Sequence, residues 1–390
     1  MIHISQKEEC CGCHACFTAC PTGCIEMVAD GEGFLYPLVN EELCANCGIC
    51  EKVCPMASEL RHDNPPVAFA AWHRNAAIRT ESSSGGGFSA LMRKTLGEGG
   101  VVFGAAFDSS LTLCHQSAQN EAESDKLRGS KYVQSIIGNA YKDAQNFLHQ
   151  GRHVLFSGTP CQVAGLYAFL GNDEENLLTC DLVCHGVPSP KVFAAYKENM
   201  ERRHGAKVQR ISFRRKECGW KRSSVALLFD NATEYRRSLA DDPFMLGFLR
   251  NTYLRPSCHN CRFSRIPRIA DITLGDFWGV GDHHPGWDDD RGTSLILVQT
   301  KKGQDAFDAV RDALVAHDAE LDVAIRSNSC ISGSVPPRQN RAAFFIDLDR
   351  LPFEKVIKRY MSPPSLWRRL SSLPRRVVRR LFAAKVRGIE

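Results

Sequence analysis

Two cysteine runs open the chain: Cys10, Cys13, Cys16 and Cys20 before Pro21, and Cys44, Cys47, Cys50 and Cys54 before Pro55. Both read CxxCxxCxxxCP. Three thiolates at two-residue gaps can wrap one face of an iron–sulfur cube, and the fourth, turned away by its proline, reaches the cube of the other run. The pattern therefore predicts two 4Fe-4S clusters, one on Cys10, Cys13, Cys16 and Cys54, the other on Cys44, Cys47, Cys50 and Cys20. Structural zinc takes paired CxxC units rather than triplets with a remote fourth thiol. Cys11 and Cys24 fall outside the pattern and read as small buried fillers. Between the runs, Gly31, Gly33 and the apolar Phe34, Leu35 and Tyr36 suit a short hairpin that shields the clusters from water.

Four further thiols stand out: Cys161 in SGTPCQ, Cys184 in DLVCHG, and Cys258 with Cys261 in RPSCHNCRF. By spacing alone they are compatible with a third cluster, a zinc site or plain buried thiols. Their placement depends on the elements around them. Short apolar runs at Val101–Phe107, Val154–Phe156, Leu177–Val183, Ile211–Phe213, Val225–Phe229, Ile272–Leu274 and Leu295–Val298 read as strands, several too apolar to have a wet face. Helical spacing joins Phe88, Leu91, Met92 and Leu96, then Ile137, Tyr141, Ala144 and Leu148, then Phe307, Val310 and Leu314. Cys161 and Cys184 fall just past two such strands, in turns with Gly158, Pro160, Gly186 and Pro188, where side chains converge at one sheet edge.

Eighteen bunched cysteines in 390 residues look like ligands in a reducing compartment, not a disulfide framework. No apolar run is long enough to span a bilayer and the start lacks a signal-peptide pattern, so the expected location is cytoplasmic. The formal charge of +5 owes much to arginines between Trp367 and Arg387. There Val377, Val378, Leu381 and Phe382 interleave with Arg375, Arg376, Arg379 and Arg380 as a basic amphipathic helix, suited to peripheral contact with an anionic membrane on its inner face or to an acidic partner. No DNA-reading motif accompanies it, and no nucleic acid is expected. Asp288, Asp289 and Asp290 read as a wet acidic turn. The polar, proline-paired stretch 62–66 separates a unit at 1–61 from a body at 67–360, followed by the tail at 361–390.

Six words carry a resemblance: SSGGGFSAL at Ser83–Leu91, GSKYVQS at Gly129–Ser135, SGTPCQVAG at Ser157–Gly165, CHGVPSP at Cys184–Pro190, CHNC at Cys258–Cys261 and ADITLGDFWG at Ala270–Gly279. In this order they resemble the coenzyme F420 hydrogenase/dehydrogenase beta-subunit family. The resemblance implies an α+β protein: a small bacterial-type dicluster ferredoxin domain followed by a larger α/β domain binding FAD and iron–sulfur. It makes Cys161, Cys184, Cys258 and Cys261 the expected ligands of a third 4Fe-4S cluster. For the flavin it points to Ser84, Gly85 and Gly86 at a helix start, where amides favour a pyrophosphate, to Lys131 and Tyr132 for phosphate and ring, and to Ser135, Ser157 and Thr159 as short hydroxyl contacts. Asp271 and Asp276 are further candidates beside a strand.

Electron flow in such a protein runs from a small carrier such as ferredoxin through the clusters to FAD and on to an organic acceptor. The expected activity is thus a flavin-dependent iron–sulfur reductase, with a non-catalytic electron-transfer subunit as the alternative. No residue is assigned as catalytic; His185 reads either as a proton relay or as a hydrogen-bonded turn residue. The segment Phe213–Ser224 departs from a deazaflavin-binding face: Arg214, Arg215, Lys216, Lys221 and Arg222 suit an acidic substrate or a solvated loop. A ferredoxin-fused bacterial member of the family is expected to accompany polysaccharide synthesis.

Overall fold

The computed structural model describes residues 1–57 and 62–361. The basic amphipathic tail and part of the segment before the body therefore lie outside the described residues. Among the described residues, thirteen strands are distributed over three sheets. Near the start, β1 (Ile25–Ala29) and β2 (Leu35–Val39) pair antiparallel as the expected hairpin, with Phe34 fully buried at the turn.

The remaining strands are β3 (Val67–His73), β4 (Val101–Phe107), β5 (Leu113–Ala118), β6 (Val154–Ser157), β7 (Leu177–Leu182), β8 (Val208–Arg215), β9 (Ser224–Phe229), β10 (Glu234–Ser238), β11 (Ile272–Asp276), β12 (Ser294–Val298) and β13 (Leu314–Ala319). Eight form one mixed sheet in the order β13-β3-β12-β11-β7-β6-β4-β5. Its centre, β4, β6, β7 and β11, is parallel. Those strands are buried because helices cover both faces, the condition under which strands lose their polar alternation.

Alternation decides which helix each residue meets. On β12, Ile296 and Val298 join Phe69, Leu91, Met92 and Phe307 beneath the helices Gly87–Gly97 and Lys301–Ala309. Leu295 and Leu297 face the other way, onto Val323 and Ala324 of the helix Leu321–Ser327. On that same face the helices Ala140–His149 and Pro160–Leu170 cover β4 and β6 through Tyr141, Val163 and Leu166. A satellite core joins the antiparallel sheet β8-β9-β10 to the helices Pro190–His204, Pro243–Leu249 and Phe353–Met361, around Tyr196, Phe213, Phe244 and Val356.

Leu314 departs from the helical expectation. The helix ends at Ala309, a tight turn follows at Arg311–Ala313, and Leu314 pairs with His73 in β13. It still reaches the core of Phe307 and Val310, so shared burial produced the helical spacing without a shared helix.

Candidate functional site: three cysteine-lined cavities

The parallel strands end at one edge of the sheet, where open α/β sheets gather ligands. After β6 the chain enters a helix through a capping box: Thr159 and Gln162 bond each other across its first turn, and Pro160 occupies the first helical position. This fixes Cys161 at the helix start. Cys184 follows β7, while Cys258 and Cys261 lie in and just after the tight helical turn Pro256–Asn260. All four thiols line one cavity of about 480 Å³, together with Cys11, Met56 and His185.

The N-terminal runs line two more cavities of about 330 Å³ each. One is bordered by Cys10, Cys13, Cys16 and Cys54, the other by Cys20, Cys44, Cys47 and Cys50, so each run's fourth cysteine stands with the opposite trio. Cys11 and Met56 border both the Cys10 cavity and the Cys161 cavity. On the far side, Cys16 packs with Cys24 and Cys50. The three cavities therefore follow one another in series, from exposed Cys47 inward to the sheet edge. Among the described residues, no three His, Cys, Asp or Glu are arranged to hold a single metal ion. Thiols spaced around a cavity suit a polynuclear cluster better than mononuclear zinc, which needs ligands converging at about 2.3 Å.

Burial acts on these thiols directly. It pushes Cys16 and Cys258 up to about 12 and Cys184 well above the ordinary thiol value. Cys161 is raised by its bond to Cys11 and by burial, with the charge of Arg255 opposing. Thiols this reluctant to ionise become thiolates when a cationic metal core compensates the charge, with release of protons. Cys20 differs: burial raises it, but bonds to Thr22 Oγ1 at 3.6 Å and Cys24 Sγ at 3.4 Å bring it to about 7. Amides also point at sulfur: Ile2 N–H donates to Cys50 Sγ at 3.2 Å and Val187 N–H to Cys258 Sγ at 3.4 Å.

The first module is fastened to the body at several points. Gly165 lets it approach, since a Cβ there would stand 2.9 Å from Cys13 Cβ. Glu32 accepts from Arg341 Nη1 at 2.6 Å, Gly31 O from Lys191 Nζ at 2.7 Å and Met56 O from Arg262 Nη1 at 2.6 Å. Arg255, 1% exposed, reaches Cys10 O at 2.8 Å and Leu35 O at 2.9 Å from the body side.

The residues expected at a flavin fall into two groups. In the first, Ser130 N–H donates to Ser83 Oγ at 2.7 Å, tying the loop of Ser84, Gly85 and Gly86 to that of Lys131 and Tyr132. Ser84 Oγ already donates to Thr293 O and Gly85 N–H to Ser294 Oγ, while the ring of Tyr132 packs against Phe213 and Phe248. In the second group, Ser135 Oγ and Ser157 O meet the two nitrogens of His115, each at 3.0 Å, and burial lowers that imidazole to about 4. Thr159 Oγ1 stands 3.2 Å from Cys161 Sγ, so this group backs the third cavity. Asp271 is saturated by Thr179, Tyr167 and Thr300.

An anion-shaped deficit surrounds the first group. Lys131 Nζ donates to Leu127 O at 2.8 Å and Arg128 O at 2.9 Å, no carboxylate among the described residues pairs with it, and burial lowers it to about 7. Lys216 Nζ is held by the carbonyls of Arg79, Ser84 and Arg291, and is lowered by burial to about 8. Arg128 Nε and Arg214 Nε are buried without a hydrogen-bond acceptor. Three other cations of Phe213–Ser224 are spoken for, while Arg222 is exposed: Arg214 pairs with Asp276 at 3.0 Å, Arg215 with Glu217 and Glu234, and Lys221 with Asp288 at 2.6 Å. Asp289 holds Arg79, so two of the three carboxylates of the acidic turn, Asp288 and Asp289, are paired with cations.

His185 borders the third cavity, its Nε2 2.7 Å from Asn251 Oδ1 and its Nδ1 3.7 Å from Cys330 Sγ, and burial lowers its pKa. Cys11 and Cys24 are buried, as expected of fillers, although Cys11 also borders two of the cavities; sequence reasoning passed over Arg255. The two thiols differ from ligands only in spacing, and nothing local distinguishes Arg255 from a surface arginine.

Known proteins share both parts of the chain. Residues 9–58 match the family model of the 4Fe-4S dicluster domain, and residues 151–322 match that of the C terminus of the coenzyme F420 hydrogenase/dehydrogenase beta chain. The chain is 21% identical over 335 residues to the F component of the F(420)H(2) dehydrogenase of Methanosarcina mazei, covering 80% of this chain and 85% of that one. A ferredoxin of Streptomyces griseus is 32% identical over 78 residues, 20% of this chain and 70% of the ferredoxin. Among solved structures, a chain of the F420-reducing [NiFe] hydrogenase complex of Methanosarcina barkeri aligns at TM-score 0.48 and 20% identity, over 69% of this chain and 90% of that one. The chain thus carries a 4Fe-4S dicluster domain at residues 9–58 and, at residues 151–322, the C-terminal domain of the coenzyme F420 hydrogenase/dehydrogenase beta-subunit family.

Proposed function

We propose that the chain is an iron–sulfur flavoprotein in which electrons enter at the Cys47 end and leave through a flavin at the sheet edge. The observation that carries this reading is the series of three cysteine-lined cavities, the last one backed by Thr159, whose hydroxyl stands 3.2 Å from Cys161 Sγ. Cys10, Cys13, Cys16 and Cys54 hold one 4Fe-4S cluster, Cys44, Cys47, Cys50 and Cys20 a second, and Cys161, Cys184, Cys258 and Cys261 a third. Lys131 and Lys216, without a carboxylate partner among the described residues, answer the phosphates of FAD together with the free Nε edges of Arg128 and Arg214, whose other nitrogens pair with Glu81, Asp125 and Asp276. When bound, the clusters pass single electrons and the flavin exchanges them for pairs. The chain's own part is to hold the thiols, exclude water with Phe34 and Met56, and keep His115 neutral behind Cys161.

The terminal acceptor is an organic molecule in this reading, and a place in polysaccharide synthesis rests on the resemblance alone. A second reading, an electron-transfer subunit that holds no substrate, is favoured by the pairing of Arg214, Arg215 and Lys221 with carboxylates, which takes three of the five cations of Phe213–Ser224 away from an acidic substrate. The test is rapid mixing of anaerobic protein with a reduced one-electron carrier, following flavin bleaching. Reduction in the native chain, slowed at least about tenfold in Cys258→Ser/Cys261→Ser with FAD still bound, supports the route. Equal rates in both proteins would remove the third cluster from it.

A further inference from the structure

Arg255 is a buried cation without a carboxylate. Its guanidinium is 1% exposed, and its donors go to Cys10 O, Leu35 O and Gln134 Oε1 at 2.8, 2.9 and 3.0 Å, with Nη2 3.5 Å from Cys10 Sγ. The rings of Tyr36 and Phe34 lie against it, 4.3 and 5.5 Å from Cζ to their centroids. No acidic side chain pairs with it among the described residues. Its backbone faces the other way, the carbonyl accepting from Cys258 N–H at 2.9 Å. Arg255 thus stands between the Cys10 cavity and the Cys258 cavity.

An unpaired buried guanidinium is costly unless a negative charge answers it. Neutral carbonyls and rings answer only in part. Four thiolates around an iron–sulfur core leave a net negative charge that grows on reduction, and both neighbouring cavities are lined by thiols.

We infer that Arg255 is a positioning residue whose fixed positive charge raises the reduction potentials of the two clusters it separates, making them a sink for electrons arriving from the Cys44 cluster. This rests on the three-cluster reading above. Each electron added beside Arg255 is stabilised by a charge that water does not screen, whereas the cation on the lining of the Cys20–Cys47 cavity is the Met1 ammonium, which is partly exposed and paired with Glu51.

The test is an EPR-monitored redox titration of anaerobically prepared full-length protein, with iron counted on the same samples. Arg255→Gln removes the charge. Gln134→Glu leaves Arg255 in place but pairs it, which keeps the test open if the first variant assembles poorly. Both variants shift the Cys10 cluster toward oxidation by at least about tenfold in its reduction equilibrium, 59 mV for one electron. The third cluster moves the same way, the Cys44 cluster stays in place, and Arg255→Lys moves both neighbours less. Unmoved potentials at native iron content, or an equal shift of all clusters, would overturn the role of Arg255. A native chain that binds no iron would instead overturn the cluster reading beneath it.

Discussion

Raising the pH is predicted to loosen the flavin through Lys131. Its ammonium is surrounded by carbonyls, and burial brings it to about 7 from the ordinary 10.5. An anionic phosphate nearby restores the charge, so above pH 7 binding takes up a proton. Affinity then falls by up to tenfold per pH unit, about 100-fold between pH 6 and pH 9 if the bound form keeps its proton. The sign for stability without the cofactor is opposite: between 7 and 10.5 the unfolded lysine binds more protons than the folded one, so stability rises with pH. The assay is quenching of FAD fluorescence by protein stripped of flavin but retaining iron, at several pH values. Lys131→Met binds more weakly at pH 6 and shows a flatter profile. Constant native affinity from pH 6 to pH 9, or the full native slope in Lys131→Met, would refute the argument.

Other outcomes follow from the docking of the first module. Gly12 has φ +70° and a Cβ there would stand 2.7 Å from Arg255 Nη1, so Gly12→Ala loses about 1–2 kcal/mol to backbone strain and displaces the guanidinium as well. Gly23→Ala, at φ +66° with open space around it, carries the backbone cost alone; thermal melts and iron retention separate the two. Arg341→Ala leaves half-buried Glu32 unpaired at about 1–3 kcal/mol, which hydrogen exchange reads as faster exchange in β1 and β2, with unchanged exchange as the contrary result. Cys24→Ala keeps the iron count but raises the Cys20 thiol, since Cys24 is one of the groups that bring it down; cluster reconstitution then requires higher pH.

What the chain's order reveals depends on how local the cause is. The cysteine runs carry their own ligand spacing, and the central strands are legible because burial on both faces makes them continuously apolar, as in VVFGAAF and SLILV. β5 and β13 are edge strands with His, Gln, Ser and Asp among their residues, and they left no such run. The convergence of Cys161, Cys184, Cys258 and Cys261 depends on strand order, which juxtaposes β6, β7 and β11 across more than a hundred residues and is invisible to spacing. Arg255 is the extreme case: its role comes entirely from the module docked on it. Arg214, Arg215 and Lys221 invite a substrate clamp until the fold brings Asp276, Glu234 and Asp288 to them.

The most direct measurement is iron, acid-labile sulfide and released flavin on one anaerobic preparation, with Cys258→Ser/Cys261→Ser alongside. Three clusters and one flavin give about twelve iron and about one FAD per chain, with about four iron lost in the variant. About eight iron without flavin, unchanged by the substitutions, would contradict it.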